Sequence, residues 1–398
     1  MSITKFSFHD QFCGWKLNEV PFSDFNLLVG ISGVGKTQIL DALRAVRNAA
    51  VLDSRFVNQC QWEIELTIGE DIYRWSVETS LGWTAYLALL NISKDENDPP
   101  ESEKPRFIKE LITKNQEEIA RRIDDTIIFR GNPLPKLKNS ESVITLLSNE
   151  ETIAPLYGFF SRVFFSEEGE ASPAAYGVQT EVIPWAQGAQ WRKQFADLDS
   201  LRRQLTRAPV LLTAYVLQEN FPDEFNRLKQ DYLEIFPTVL DIKIDRLIKM
   251  APAVAANNPA FLMDNLVLGV KEEGVEGWIL SGQISSGMLR TLIHLFEIAL
   301  APPEAVIVID EFENSLGINC LPELTNHLMR ATTVQIVLTS HHPYIINNVP
   351  FRYWKLVTRS GSEVTVKDAT SIRELDAASS LEKFTRLLNL EEYTEAIR

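Results

Sequence analysis

Residues Gly30 to Thr37 read Gly-Ile-Ser-Gly-Val-Gly-Lys-Thr, a complete G-x-x-x-x-G-K-[ST] pattern. The residue types at these positions suit the binding of oxyanions. Gly30, Gly33 and Gly35 let the backbone turn tightly and bring successive N–H groups toward phosphate oxygens. Lys36 is placed to reach the β- and γ-phosphates, and Thr37 to offer its hydroxyl to Mg²⁺. Ser32, Val34 and Gln38 belong to the same expected cradle. A second group stands far along the chain, where the apolar run Val306-Ile307-Val308-Ile309 ends in Asp310-Glu311. Asp310 is expected to hold the Mg²⁺ shell, and Glu311 to polarise an attacking water as general base. A strand ending in surface carboxylates is common by itself. Paired with an intact phosphate loop, it reads as the Walker B half of a nucleoside-triphosphate site.

The elements around these residues fit the chemistry. Phe25–Val29 is a short apolar run ending at Gly30, as a buried strand would. After Thr37, residues Ile39, Leu40, Leu43 and Val46 recur at helical spacing as far as Ala50. Strand, loop and helix in this order set phosphates at a helix N-terminus. Further strands are expected around Ile3–Phe8 and Trp15–Val20, then in the alternating stretch Trp62–Ile68. Ile72–Glu78, Trp83–Leu90 and a pair within Phe107–Arg130, turning near Lys114-Asn115-Gln116, would continue an antiparallel meander. The acidic, proline-bearing stretch Asn91–Pro105 reads as a loop or insertion. Ala189–Met250 reads as mainly helical. A strand pair (Asn265–Lys271, Gly277–Leu280), a helix Met288–Leu300, strands at Ala305–Ile309 and Val334–Thr339 with a helix Cys320–Arg330 between them, then a strand pair and final helix complete the chain.

Composition bounds the alternatives. The chain has 398 residues, 45% of them hydrophobic, enough for a large core and a subdomain. No apolar run approaches the roughly 20 residues of a membrane span. The start, MSITKFSFHDQF, lacks a signal-peptide pattern. Three scattered cysteines, Cys13, Cys60 and Cys320, point to a reducing compartment and hence to the cytoplasm. The net charge of −15 argues against a surface that grips nucleic acid everywhere. Local basic clusters remain at Arg202, Arg203 and Arg207 and at Lys136 and Lys138.

Three more motifs follow in order. Ile284-Ser285-Ser286-Gly287-Met288 precedes the helix that leads to the Asp310 strand, with Arg290 one turn in. A serine and glycine at such a helix start can bind phosphate oxygen through hydroxyl, backbone N–H and helix dipole, although a serine there also serves as a plain helix cap. Glu313-Asn314-Ser315-Leu316 follows Asp310-Glu311. Thr339-Ser340-His341-His342-Pro343 follows the next buried strand. With the long separation of Lys36 from Asp310, this series resembles the ATPase heads of ABC type. Ser285-Ser286-Gly287 stands where that family has its signature, Glu313–Leu316 its D-loop, and His341, two before the proline, its switch histidine. The departures are Ile284 for the leading leucine, Ser286 for the first signature glycine, and Gly317-Ile318 after the D-loop. Gln59 and Gln61 are the candidates for a Q-loop.

The whole chain resembles the stand-alone AAA-type ATPases with ABC-like heads. These are related to OLD nucleases, RecF and SMC heads, and are found in bacterial anti-phage defence systems. Glu141–Val163 also resembles that family. The resemblance implies an α/β fold: a P-loop NTPase of ABC type with a mixed central sheet, an antiparallel β lobe and an inserted helical subdomain. The expected parts are 1–165 (loop and meander), 166–262 (helical insertion) and 263–398 (signature to switch histidine). It also implies ATP and Mg²⁺ as cofactors and a homodimer or higher homo-oligomer formed through the ATP sites. Ser285, Ser286 and Gly287 of one copy would cap the γ-phosphate held by the other, with His341 contacting that phosphate. Lacking an acidic D-x-D cluster after His341, the chain is expected to have no nuclease site and to act with a separate nuclease or toxin. The alternative is a RecF- or SMC-like repair ATPase that clamps DNA directly; a transporter subunit fits least.

Overall fold

The structure is a computed structural model that describes residues 1–52, 54, 57–82, 104–166, 195–205, 208–252, 265–375, 382–383 and 385–386. In chain order the strands are β1 Ser2–Asp10, β2 Trp15–Pro21, β3 Phe25–Val29, β4 Cys60–Ile68, β5 Asp71–Thr79, β6 Phe107–Lys114, β7 Glu117–Ile123, β8 Thr126–Phe129, β9 Asn132–Pro133, β10 Val163–Phe165, β11 Val239–Arg246, β12 Leu266–Glu272, β13 Ile279–Leu280, β14 Val306–Ile309, β15 Gln335–Thr339, β16 Trp354–Ser360 and β17 Glu363–Asp368. The helices are α1 Lys36–Val51, α2 Val143–Leu146, α3 Ala154–Phe160, α4 Leu198–Gln204, α5 Val210–Asn220, α6 Pro222–Ile235, α7 Leu247–Met250, α8 Ser286–Leu300, α9 Leu321–Arg330 and α10 Pro343–Asn348. Two compact units emerge. The first comprises Met1–Phe165, Glu304–Phe312 and Gln335–Arg398; the second, Ser166–Pro303 and Glu313–Val334.

The first unit is built on one 14-stranded sheet, ordered β10-β14-β15-β3-β16-β17-β2-β1-β4-β5-β6-β7-β8-β9. From β10 through β16 every neighbour is parallel. From β2 and β1 outward every neighbour is antiparallel. This is the mixed sheet with an antiparallel lobe expected from the sequence. Burial follows the two halves. In β3, β14 and β15 every residue is buried, as strands covered on both faces must be. In β4 buried and half-buried residues alternate along its whole length, as in a strand with one face inward. The inward face of the antiparallel part carries Phe8, Trp62, Trp75 and Phe107, and Trp62 and Trp75 meet edge-on with centroids 5.3 Å apart. The turn between β6 and β7 uses Asn115 and Gln116, both at positive φ (51° and 72°).

The second unit holds helices α4 to α9 and a three-stranded antiparallel sheet, β11-β12-β13. Here one expectation is corrected. The stretch Ala189–Met250 does not stay helical to its end, because Val239–Arg246 forms β11 and pairs with β12 from Val239↔Glu272 to Arg246↔Leu266. The reason is local: Ile242 and Ile244 alternate with Lys243 and Asp245, a period of two rich in β-branched residues. The strand pair 265–280, the signature turn and α8 belong to this same unit. The expected strand Trp83–Leu90, the acidic stretch as far as residue 103 and nearly all of the chain beyond residue 375 lie outside the described residues.

Candidate nucleotide site

The site grows from the C-terminal ends of parallel strands. β3, β15 and β14 run side by side in the same direction, so Gly30, Ser340 and Asp310 emerge at one sheet edge. Such an edge is where open α/β sheets receive ligands. The loop after β3 turns through Gly33 (φ 88°) and Gly35 (φ 102°), a region L side chains rarely adopt. Gly30 is needed for a different reason, since a Cβ there would lie 2.8 Å from the Val357 carbonyl oxygen of β16. α1 opens at Lys36, and its first turn carries no acidic residue to oppose an anion. Ser32, Thr37 and Gln38 are exposed; Val34 is buried, so it can offer a ligand only its backbone. Lys36 Nζ donates to the carbonyls of Gly30 (2.6 Å) and Ile31 (3.0 Å), which holds the ammonium at the loop.

Beside the loop stands a tight polar knot. Thr339, the last residue of β15, donates its hydroxyl to Asp310 Oδ1 and accepts the Glu311 N–H at 2.7 Å. The Glu311 N–H also lies 3.1 Å from Asp310 Oδ1. Both bonds to Asp310 engage Oδ1, which leaves Oδ2 for a cation. A carboxylate oxygen here and a threonine hydroxyl at position 37 are hard oxygen donors, the set that suits Mg²⁺ alongside phosphate oxygens. Glu311 is exposed and adopts φ 41°, a left-handed conformation uncommon for a residue with a side chain. Such strain costs on the order of 1–3 kcal/mol and concentrates at functional positions. Asp41, one turn into α1, has its carboxyl raised above the ordinary value by burial, against Arg44 and reinforced by the Asp310 charge.

The two histidines after β15 separate by role. His342 Nδ1 accepts the Tyr344 N–H at 3.2 Å and so caps α10, while its own N–H donates to Ser340 Oγ. His341 is exposed at the same sheet edge. Sequence reasoning left Thr339 out of the site. Its signal was a hydroxyl residue ending an apolar run, but only the pairing of β14 with β15 gives it a partner.

In the second unit Ser285 caps α8, accepting the Met288 N–H at 3.3 Å, and Ser285, Ser286 and Gly287 lie at the helix start. The cap uses Ser285 Oγ as acceptor, so its O–H can still donate to a phosphate. Gly287 has a packing reason: a Cβ there would lie 3.2 Å from the Ser315 carbonyl oxygen of the segment after Glu311. Ser315 itself adopts φ 62°. One turn along, Arg290 Nε donates to His294 Nε2 (3.1 Å), and His294 Nδ1 lies 3.1 Å from Glu297 Oε2. The basic clusters noted in the sequence are engaged locally. Lys136 pairs with Asp125 (2.6 Å), Lys138 with Glu141 (2.9 Å), and Arg202 donates to the Ala299 carbonyl at the end of α8. Arg207 lies outside the described residues.

A glycine-rich loop opening a helix after β3, with a carboxylate pair following β14 two strands away in the same parallel run, fits an ATPase domain. Residues 25–347 match the family described as "AAA domain, putative AbiEii toxin, Type IV TA system", and the chain belongs to this family. No curated protein sequence matches it. Among solved structures, it is similar to an SMC head bound to the C-winged helix domain of ScpA, at 12% identity and TM-score 0.49, covering 92% of this chain and 98% of the other. It is similar also to the Smc head domain from Pyrococcus furiosus with an extended coiled coil, bound to the C-terminal domain of ScpA (14%, TM-score 0.45, 97% and 98%). A third is the SMC head domain from Thermotoga maritima (10%, TM-score 0.43, 92% and 99%). The family assignment rests on the match over residues 25–347. Among the described residues no helix is long and apolar enough to cross a membrane.

Proposed function

We propose that this chain binds and hydrolyses ATP with Mg²⁺, that the bound nucleotide joins two copies, and that the joined state is a switch acting on a separate nuclease or toxin in anti-phage defence. The observation that carries the reading is the convergence of the phosphate loop, the Asp310–Thr339–Glu311 knot and His341 at one edge of the parallel sheet. The loop N–H groups and Lys36 hold the phosphates, while Thr37 and Asp310 hold the cation, which supplies charge neutralisation when bound. Glu311 takes the proton of the attacking water, and His341 donates to the γ-phosphate. Ser285 and Gly287 of a second copy close the site, so hydrolysis opens the pair. The family description names a toxin–antitoxin system, which supports a two-component setting.

The test is light scattering with ATP and Mg²⁺ on Glu311→Gln and Lys36→Ala proteins, alongside phosphate release. The Glu311→Gln protein is expected to double in mass and hydrolyse slowly, and the Lys36→Ala protein to bind no nucleotide. Normal turnover by Glu311→Gln removes the base assignment, and an unchanged mass removes the shared site.

A further inference from the structure

On the ATP-site reading, the sheet order says on which side of the phosphate loop the nucleotide base lies. Asp310 and Thr339 end β14 and β15, both on one side of β3. On the ATP-site reading Asp310, held by Thr339, would hold the metal and with it the γ-phosphate on that side. A nucleotide threaded through the loop after β3 therefore runs its nucleoside end to the other side, over β16 and β17, one strand spacing of about 5 Å away.

The residues waiting there are few. β16 runs parallel to β3, so its end, Arg359-Ser360, reaches the same edge as Gly30. The β16–β17 hairpin leans on the loop itself, since a Cβ on Gly35 would lie 3.1 Å from Val364 Cγ2. Arg359 Nε donates to the Gly361 carbonyl (2.8 Å), and its Nη1 to Gln38 Oε1 in the first turn of α1 (3.3 Å). These two bonds tie a planar cation to the hairpin on one side and to the phosphate-loop helix on the other. A guanidinium held at two points keeps its plane for stacking, and such planes stack on aromatic rings in a way a lysine cannot.

Resting on the ATP-site reading above, we propose that Arg359 is the base-binding residue: its guanidinium plane stacks on the base of the nucleotide whose phosphates the loop holds. Stacking of this kind accepts any base with a π face, so Arg359 gives little preference between ATP and GTP.

The test is calorimetric titration of the wild-type, Arg359→Ala and Arg359→Lys proteins with a non-hydrolysable ATP analogue, its GTP counterpart and inorganic tripolyphosphate, each with Mg²⁺. Both substitutions are expected to weaken the two nucleotide analogues about tenfold and to leave tripolyphosphate affinity as in the wild type. Thermal melting of the variants checks the fold independently. Unchanged nucleotide affinity, an equal loss for tripolyphosphate, or full retention by Arg359→Lys overturns the proposal, the second because Arg359 would then act on the loop through Gln38. A wild-type protein that binds neither nucleotide nor tripolyphosphate overturns the ATP-site reading itself, a result distinct from all of these.

Discussion

Thr339 does the work of two contacts with one hydroxyl, donating to Asp310 and accepting from the Glu311 backbone. A buried carboxylate so held presents a fixed oxygen to a cation, and the same hydroxyl stabilises the left-handed turn at Glu311. Thr339→Val keeps the shape and removes both bonds. A buried hydrogen bond of this kind is worth about 1–2 kcal/mol, so the Mg²⁺ concentration that half-activates ATP hydrolysis is expected to rise about tenfold. A Mg²⁺ titration of phosphate release checks this; an unchanged midpoint would mean that Asp310 needs no such support. The loop, the carboxylates and His341 are legible in the sequence because backbone geometry dictates their residue types. Thr339 stands in the sequence as a hydroxyl ending an apolar run, but its role depends on which strand lies beside β15.

At the scale of elements, the antiparallel lobe is fastened to the segment before α2 by a buried ion pair. Glu110 on β6 and Arg122 on β7 are both fully buried, with Arg122 Nε 2.9 Å from Glu110 Oε2. Glu110 also accepts the Val143 N–H at 3.0 Å, and Arg122 donates to the carbonyl of Glu141 at 2.8 Å. Burial pushes the Glu110 carboxyl up, against the pull of Arg122, the Val143 N–H and Trp75. Glu110→Ala strands a buried cation, and urea unfolding is expected to show a loss of about 3–5 kcal/mol. The outer face of the same lobe gives a pH-dependent contribution. The Arg74 hydrogen bond, against a smaller burial penalty, holds the Glu65 carboxyl below its ordinary value. A depressed folded value means stability that is present above the unfolded value of about 4.3 and fades as pH falls through the folded one. The stability difference between wild type and Arg74→Ala is therefore expected at neutral pH, within about 1 kcal/mol for so exposed a pair, and should vanish in acid. A difference that persists at pH 2 would assign it to packing instead.

At the scale of the molecule, the phosphate loop, Asp310, Glu311 and His341 belong to the first unit, and Ser285, Ser286 and Gly287 to the second. A single chain thus carries the two halves of the proposed shared site on different compact bodies. Ser285→Arg puts a bulky cation at the start of α8, in the unit that does not contain the phosphate loop. Light scattering with a non-hydrolysable ATP analogue is expected to find the protein monomeric, while its affinity for the nucleotide stays near that of the wild type. A dimer that survives the substitution would mean that the signature turn does not close the site.

The sequence by itself determined the local chemistry. Loop glycines, the apolar runs of β3, β14 and β15 and the order of motifs are legible because they obey backbone sterics and burial within a few residues. It also determined the alternation of β4, since a period of two survives in any context. Tertiary structure alone decided the rest. It placed β15 between β14 and β3, which made Thr339 a partner of Asp310. It laid β16 on the other flank of β3, which brought Arg359 to Gln38 across more than three hundred residues of chain. It also chose β12 as the partner of Val239–Arg246, whose own alternation already favours a strand. Sheet neighbours are chosen by long-range packing, and no local pattern states which strand will lie beside which.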